Sequence, residues 1–342
     1  MSKAAELANL IGNINAGGGG VNRNVIINGA MNVAQRGTSS TGLGADADSY
    51  HTIDRFKSGA ENTAGRLTMS QDSSAPEGFA NSLKLACTTA DTSVASGELL
   101  VLAHIIEGQN VQHFCKGTSS AKPYAVSFYV KGNASATYVA ELFDADNSRH
   151  VCKTFSVTTD WTRVELSFPA DTTGAFTDDN GESLRLQIFL HSGSNFTSGT
   201  LPATWASKTN ANRAAGISSF FDSTDRTFFI TGVQLEVGQN PTEFEHEPFD
   251  VTLKKCHRYF FKNSSTIIRS TILRPDNIRN FDIGFPTMRA SATATLGYSD
   301  DGTGVSVASQ TVSADRYSGN TSASSSSNQD PRFTSFEVDA EL

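Results

Sequence analysis

The chain has 342 residues, of which 38% are hydrophobic and 18% are charged, and its formal net charge is −8. This apolar content is enough for a packed core, in one large β domain or in two domains, so global disorder is excluded. The acidic balance argues against sequence-independent nucleic-acid binding, which needs a surface rich in Lys and Arg. No segment has the length and apolarity of a membrane span or of a signal peptide. We therefore expect synthesis in the cytoplasm and no insertion into a membrane.

The first twenty residues carry the clearest helical pattern in the sequence. Ser2 can cap a helix, and the apolar residues that follow recur at the spacing of one helical face. This apolar stripe consists of Leu7, Leu10, Ile11 and Ile14. Four glycines at 17–20 then form a flexible linker. The helix either packs on its own domain or is a docking and self-association segment, and the linker favours the second interpretation. Residues 1–20 are therefore predicted to be a helical anchor and linker.

From residue 25 to about residue 248 the pattern is that of β-strands. Eight segments alternate in polarity or are rich in β-branched and aromatic residues. They are NVIING (24–29), LKLAC (83–87), YAVSFYVKG (124–132), TYVAELFD (137–144), VCKTFSV (151–157), WTRVELSF (161–168), LRLQIFL (184–190) and TFFITGVQLEVG (227–238). No long helical segments alternate with them, which argues against a parallel α/β sheet. We therefore predict that residues 21–249 form an antiparallel jelly-roll sandwich.

The alternation within these segments also predicts which side chains enter the core. In YAVSFYVKG, the apolar face consists of Val126, Phe128 and Val130. Asn180-Gly181 is a typical type I′ hairpin turn. DADNSRH (144–150) resembles the first half of a calcium loop, but Arg149 stands where the loop needs glycine. We therefore interpret that segment as a hairpin turn.

A second unit is predicted over residues 250–342. It follows PTEFEHEP (241–248), whose glutamates are expected on one face of an extended strand that the proline ends. The segment 300–304 and the Ser-rich segment 318–331 are interpreted as exposed loops. The whole chain is thus predicted to be all-β, with a short N-terminal helix and a small β-rich distal domain.

The usual signatures of catalysis are absent from the sequence. There is no GxSxG, HExxH, Walker A or dinucleotide-binding GxGxxG motif, and no histidine pair has the spacing of a metal site. Cys87, Cys115, Cys152 and Cys256 form no CxxC pair and are interpreted as buried free thiols, with zinc binding or a disulfide as the alternative. The sequence therefore predicts no enzyme, metal or cofactor. Carboxylates distant in sequence can still form a glycosidase pair, so a glycan-degrading enzyme stays as the alternative.

Several segments together resemble a widespread family of phage tail-fibre and virion-associated proteins. The order of these segments is also that of the family. They are NVIINGAMNVAQRGTS (24–39), DRF (54–56), IEGQNVQHF (106–114), AKPYAVSFYVKGN (121–133), FSVTTDWTRVELSFPADTTG (155–174), TFFITGVQLEVGQNPTEFEHEPFDVTLKKCHRYF (227–260), GFPTMRASATATL (284–296) and DAEL (339–342).

This resemblance implies a jelly roll like that of carbohydrate-binding modules, a homotrimeric fibre, and an N-terminal segment that attaches to other tail proteins of the virion. It implies a subunit that binds a host cell-surface glycan or protein, and it supplies no catalytic residue. The chain is short for a fibre and has no repetitive shaft. A fibre, a tip, or a decoration of the collar or capsid therefore all stay open.

Five residues are candidates for contact with a receptor. An exposed aromatic ring offers a flat apolar face to a sugar. Trp161 is expected at a strand start outside the core, as a platform or a structural edge residue, and Trp205 is expected in a loop, as a platform or a cap on the core. The distal candidates are Asp300, Asp301 and Tyr317. The distal unit is expected to face the cell because the N-terminal anchor would face the particle.

Overall fold

The computed structural model of the protein describes residues 2–8, 22–44, 46, 48–263, 268–269, 278–299, 305–323 and 332–342. The chain divides into two compact units, Met1–Phe249 and Asp250–Leu342. Within the described residues, no helix is both long and apolar enough to span a membrane.

The chain begins with the predicted short helix, α1, which is described over residues 3–8. Ser2 caps it, because its Oγ accepts a hydrogen bond from the Ala5 N–H at 3.3 Å. Leu7, the first residue of the predicted stripe, is 56% exposed. The other three stripe residues, Leu10, Ile11 and Ile14, lie outside the described residues.

Thirteen strands and one short α-helix follow among the described residues of the first unit. The strands are β1 (Ser39–Leu43), β2 (Asp48–Tyr50), β3 (Lys57–Glu61), β4 (Arg66–Asp72), β5 (Ser82–Thr89), β6 (Leu99–Glu107), β7 (Tyr124–Gly132), β8 (Ala136–Asp144), β9 (Arg149–Val157), β10 (Thr162–Phe168), β11 (Glu182–Ser192), β12 (Ala206–Ser207) and β13 (Thr227–Val237). The helix α2 (Ser194–Thr197) lies between β11 and β12.

These strands form two antiparallel sheets that enclose one core. Sheet A has the order β1-β4-β5-β13-β7-β10, and sheet B has the order β12-β9-β8-β11-β6-β3-β2. Val126, Phe128 and Val130 are fully buried between the sheets, as the alternation predicts. The predicted jelly-roll sandwich is therefore confirmed.

Two expectations about local structure in this unit are wrong. Residues 24–29 form no strand, because the Asn28 side chain accepts the N–H groups of Asn32 and Val33 and holds a turn. Asn180-Gly181 does not join a hairpin, because the strands on either side, β10 and β11, belong to different sheets. The hairpin at 144–150 is confirmed between β8 and β9, with Ser148 in the left-handed region at φ 50°.

Strand β6 is buried on both faces, which explains why its sequence shows no alternation. Leu100 and Leu102 face the sandwich core. Leu99 and Val101 pack instead against a small apolar cluster with Phe196 of α2, in the segment between β11 and β13. A continuous apolar run such as LLVLAHIIE is typical of a strand that is covered on both sides.

None of the four cysteines, all of which lie in the described part of the chain, forms a disulfide bond. Cys87, Cys152 and Cys256 are buried, as predicted, whereas Cys115 is only half-buried. Burial raises the pKa of the Cys87 thiol, which favours the neutral form.

A helix that was not predicted from the sequence, α3 (Phe249–His257), starts at the last residue of the first unit and forms the beginning of the second. Thr252 and Cys256, four residues apart, are its buried positions, and its last turn carries Lys254, Lys255 and His257, which complement the helix dipole. The strands that follow are β14 (Phe260–Asn263), β15 (Ile268–Arg269), β16 (Ile278–Gly284), β17 (Thr293–Ser299), β18 (Val305–Val312), β19 (Arg316–Ala323) and β20 (Arg332–Asp339).

Two small antiparallel sheets make up the rest of this unit. One has β20 paired with β14, β15 and β17, and the other has the order β16-β19-β18. Residues 318–323, which were expected in a loop, belong to β19. Residues 300–304 and 324–331 lie outside the described residues.

The buried His104 of β6 should make the stability of the first unit sensitive to acid. The Ile27 N–H donates to His104 Nε2 at 3.0 Å, and the Phe56 ring packs against the imidazole at 5.2 Å. Burial, with a smaller contribution from the Arg55 charge, holds the pKa of His104 well below its usual 6.5. Below about pH 6.5 the unfolded chain binds a proton here that the folded chain does not bind. The free energy of unfolding should therefore decrease as the pH is lowered, by up to about 1.4 kcal/mol per pH unit.

Urea unfolding at a series of pH values between about 7 and about 5 measures this dependence. The variant His104→Gln keeps an acceptor for the Ile27 N–H but has no titrating group. We expect its unfolding free energy to fall less steeply with pH than that of the unchanged protein. Equal slopes would contradict the assignment of this acid sensitivity to His104.

Candidate functional site

A row of basic and aromatic side chains crosses the outer face of sheet A. Phe229 of β13 is in register with Lys84 of β5 on one side and with Lys131 of β7 on the other. Trp161 continues the row on the far side of Lys131, just before β10 begins. Successive side chains of a strand point to opposite faces, so these residues lie opposite the core residues between them.

The lysines lie over the aromatic rings of this row. Lys84 Nζ is 5.2 Å and Lys131 Nζ is 4.9 Å from the centroid of the Phe229 ring. Lys131 Nζ also lies 5.4 Å from the Trp161 ring, whose centroid is 6.1 Å from that of Phe229. These are distances at which an ammonium group attracts a π face. Phe229 is almost covered, at 8% exposed, whereas Trp161 stays half-buried and keeps part of its indole accessible.

The row carries more positive than negative charge. Lys84 forms an ion pair with Asp72 at 3.2 Å. Lys131 instead donates to the hydroxyl of Ser74, Nζ to Oγ at 2.9 Å. The row thus offers an indole surface, two ammonium donors and a hydroxyl within a short distance, which is the mixture of flat apolar and polar groups that a sugar ring can bind.

A second group of rings borders the row. Phe79 packs against Tyr129 at 5.4 Å, against Phe244 at 5.0 Å and against His246 at 5.0 Å. Gly232 of β13 lies beneath Phe79 and Tyr129 at φ +63°, and a Cβ there would come within 2.8 Å of the Phe79 ring. Glycine is therefore required for these rings to close over the sheet.

The remainder of this face is covered by the two ends of the first unit. The Asn22 N–H donates to Glu245 Oε1 at 2.6 Å, and Arg23 reaches the Glu243 carbonyl at 2.7 Å. Arg23 also pairs with the buried Glu236 at 3.3 Å. The chain therefore enters and leaves the sandwich at neighbouring points. Residues 241–248, which were expected as a strand, are instead an irregular segment that joins these points.

The expectation that the distal unit faces the cell stays a prediction, because these contacts lie within the first unit. They show that residues 22–24 and 242–245 lie side by side.

The five predicted receptor-binding residues have different surroundings. Trp161 lies outside the core at the start of β10, as predicted. Trp205 is 8% exposed and belongs to the core, so its interpretation as a cap on the core is the correct one, and it is no exposed platform. Tyr317 is 1% exposed between Phe281 and Phe336, so it too packs in a core instead of facing a receptor. Asp300 and Asp301 lie outside the described residues.

Two buried clusters combine types of side chain that can bind metals. In one, Glu141, His150 and Cys152 lie together. Burial alone would raise the pKa of Glu141, but hydrogen bonds from His150 and Arg213 hold that pKa below its usual value. The Arg213 guanidinium, 2.7 Å from Glu141 Oε2, already neutralises the carboxylate. The carboxylate of this cluster is therefore satisfied by the protein itself, whereas the buried His150 Nε2 has no hydrogen-bond partner in the part of the chain that the structure describes. The second cluster, at His191, is described below.

Neither a protein-family model nor a curated protein matches this chain. Among solved structures, it is similar to a family 11 carbohydrate-binding module from Clostridium thermocellum, with 11% identity over 61% of this chain and 98% of that one, and a TM-score of 0.28. It is also similar to a xylan-binding family 22 module from Paenibacillus barcinonensis, with 11% identity over 59% and 97% and a TM-score of 0.29.

A third similarity is to the enzymatically active domain of tailspike protein 4 of bacteriophage CBA120. The identity is 11%, the match covers 63% of this chain and 21% of that one, and the TM-score is 0.31. At these identities and TM-scores the likenesses are too distant to support an inference about function.

Sequence reasoning found Trp161 but not its neighbours. Phe229 and Lys131 join it only through the pairing of β13 with β7 and of β7 with β10. A usable signal was the outward parity of each residue within its own strand. Which strands are neighbours in the sheet is not visible in the order of the chain.

Proposed function

We propose that the protein is a structural and adhesive subunit of a bacteriophage particle, of the tail-fibre type, that binds a host cell-surface glycan or protein. The observation that carries the proposal is the basic and aromatic row on sheet A, with Trp161 as its accessible ring. The resemblance of the sequence to phage tail-fibre proteins supports the assignment to the virion. Binding at this face requires no bond to be made or broken.

The same proposal includes the assembly of the subunit. We propose a homotrimer that attaches to other tail proteins through the N-terminal segment and that is made in the host cytoplasm before incorporation into the virion. Three weak sites on one fibre would bind a cell much more tightly than one site, because the second and third contacts form at a high local concentration. Mass spectrometry of purified virions tests this part, and absence of the chain from them would contradict it.

Replacing Trp161 by alanine should weaken binding without unfolding the protein. An aromatic platform contributes on the order of 1–2 kcal/mol to a sugar contact, so we expect the dissociation constant to rise about tenfold or more. Trp161→Phe, which keeps a flat ring, should lose less. Binding to host cells and to a glycan array measures the effect, and thermal unfolding checks that the fold is retained.

Phe143→Ala is the matched control for this experiment. Phe143 is also a half-buried ring among cations, with Lys208, Arg185 and Arg213 between 5.6 and 5.8 Å from its centroid, but it lies on sheet B. We expect this variant to bind like the unchanged protein. If Phe143→Ala loses binding and Trp161→Ala does not, the receptor site lies on sheet B and our assignment is wrong.

A further inference from the structure

Three residues far apart in sequence form a chain of hydrogen bonds at one end of sheet B. Ser219 Oγ is 2.7 Å from His191 Nδ1, and His191 Nε2 is 2.9 Å from Glu98 Oε2. The other carboxylate oxygen of Glu98 accepts the Ala95 N–H at 2.8 Å, which fixes its orientation. The residues form a continuous hydroxyl–imidazole–carboxylate relay.

The surrounding fold holds the imidazole of this relay in place. A β-bulge in β11 shifts the register between Phe189 and His191, and bulges of this kind redirect the side chains beside them. The Phe221 ring packs edge-on against His191 at 5.2 Å. The His191 side chain is completely buried, and that of Glu98 is 5% exposed. The relay is therefore preorganised before any ligand arrives.

One tautomer of the His191 imidazole would make Ser219 a nucleophile. In that tautomer Nε2 carries the proton and donates to Glu98, and Nδ1 accepts the Ser219 hydroxyl. This is the arrangement by which a base activates a serine nucleophile, with the two ring nitrogens exchanged relative to a chymotrypsin-type triad.

Ser219 is also accessible from outside. It is half-buried and lines an open pocket of about 310 Å³. Ser192, Ser194 and Thr197 also line this pocket, together with Ile217. A pocket of this size and mixed polarity suits a short acyl group attached to a hydroxylated compound.

Metal binding is a weaker interpretation of the same residues. Asp91, Glu98 and His191 are close enough together to hold an ion. However, both nitrogens of His191 are already in hydrogen bonds, and Asp91 Oδ2 accepts from Thr63 Oγ1 at 2.9 Å and from the Ala64 N–H at 2.8 Å. Both nitrogens of His191 and Asp91 Oδ2 are therefore already engaged by protein groups.

We infer that Ser219, His191 and Glu98 form a hydrolytic site for short-chain carboxylic esters. Ser219 Oγ bonds to the ester carbonyl carbon while its proton moves to His191 Nδ1. The carbon–oxygen bond to the alcohol then breaks, and His191 returns the proton to the leaving oxygen. Water attacks the acyl-serine and gives its proton to His191, and Ser219 recovers that proton as the carboxylic acid leaves. Glu98 positions the imidazole and stabilises its charge. This activity would lie apart from the sheet A face and would replace the expectation from the sequence of no enzyme.

The unchanged protein provides the first test. We expect a fluorophosphonate probe to label the folded protein at Ser219, as mapped by mass spectrometry, and p-nitrophenyl acetate to be hydrolysed. Ser219→Ala should abolish both, whereas Ser207→Ala, which removes an exposed hydroxyl of β12 outside the pocket, should keep both. Ser219 also accepts the Phe221 N–H, so thermal unfolding must show that Ser219→Ala is folded.

Glu98→Gln tests the positioning role. The amide can donate to His191 Nε2, which leaves Nδ1 protonated and unable to accept the serine proton, so kcat should fall by about 10³-fold or more with little change in KM. The inference is overturned if the folded, unchanged protein is not labelled at Ser219 and hydrolyses the ester no faster than Ser219→Ala. Glycan binding should be unaffected by Ser219→Ala, so failure of this inference and failure of the adhesive function are distinguishable.

Discussion

Replacing Lys116 by methionine should lower the free energy of unfolding by about 3–5 kcal/mol, because it leaves a buried carboxylate without its cation. Lys116 Nζ is completely buried and lies 2.6 Å from Asp144 Oδ2 and 3.1 Å from Asp171 Oδ2. It also donates to the carbonyl oxygens of Thr173 at 2.8 Å and Gly174 at 2.7 Å. Asp171 keeps a second partner, Arg149, at 2.8 Å, whereas Asp144 pairs with no other cation among the described residues.

The oxygens around the Lys116 ammonium group also predict that a bound cation can restore the stability that is lost when Lys116 is removed. Two carboxylates and two carbonyls are ligands that Ca²⁺ prefers, at oxygen distances of about 2.3–2.6 Å. Lys116→Ala vacates the position between them, so Ca²⁺ should raise the melting temperature of this variant while leaving the unchanged protein unaffected. Mg²⁺ should do less, because it requires shorter distances and loses its water reluctantly.

Urea unfolding measures the loss, and thermal unfolding with and without Ca²⁺ measures the repair. Lys208→Met is the control, since Lys208 is exposed and should change stability by less than about 0.5 kcal/mol. If Lys116→Met lowers the free energy of unfolding by less than about 1 kcal/mol, the Asp144 carboxylate does not depend on Lys116 and the prediction is wrong.

The ion pair between Lys116 and Asp144 also shows what could and could not be predicted from the sequence. DADNSRH was correctly interpreted as a hairpin turn, because Arg149 stands where a calcium loop needs glycine. The carboxylate of Asp144 nevertheless lies in a cation site, and its cation is a lysine 28 positions earlier in the chain. The local sequence predicts the turn, whereas the lysine that neutralises the Asp144 carboxylate comes close only in the folded chain.

The strands were predictable where one face is core and the other is not. YAVSFYVKG has this alternation: Val126, Phe128 and Val130 belong to the core, whereas Tyr129 and Lys131 on the other face are only half-buried. The pattern gave no signal at β6, which is apolar throughout because both of its faces are covered. It also missed α3, because the short amphipathic segment of this helix is followed directly by an aromatic segment with the composition of a strand. Alternation in sequence reflects a difference in polarity between the two faces of a strand, so it gives no signal where both faces are apolar.

The alternation of residues along a strand places Trp161 outside the core, but it does not show that Trp205 is buried. Trp161 is marked by its strand, because Val164, Leu166 and Phe168 occupy the core parity. Trp205 lies just before the two-residue strand β12 and has no such frame. Its burial comes from Tyr124, 5.4 Å away, and from the Pro169 carbonyl, which accepts the indole N–H at 2.9 Å.

Replacing Trp205 by alanine should therefore destabilise the first unit by about 3–5 kcal/mol, because it removes a large buried ring from the core. The indole also lies 5.5 Å from Lys116 Nζ, so the loss should extend to the buried charges. Trp205→Phe keeps much of the apolar surface but loses the bond to Pro169 and should cost less. Urea unfolding monitored by circular dichroism measures both variants.

The chain has two tryptophans, so single-tryptophan variants can report each side chain separately. In Trp161→Phe the remaining fluorescence comes from Trp205, and we expect it to be shifted to the blue and resistant to acrylamide quenching. In Trp205→Phe the remaining emission from Trp161 should be quenched readily and should respond to a bound glycan. A Trp205→Ala protein that melts like the unchanged protein but no longer adsorbs to host cells would reverse these assignments. Trp205 would then have to leave the core to meet the receptor, which its hydrogen bond to Pro169 and its packing on Tyr124 oppose.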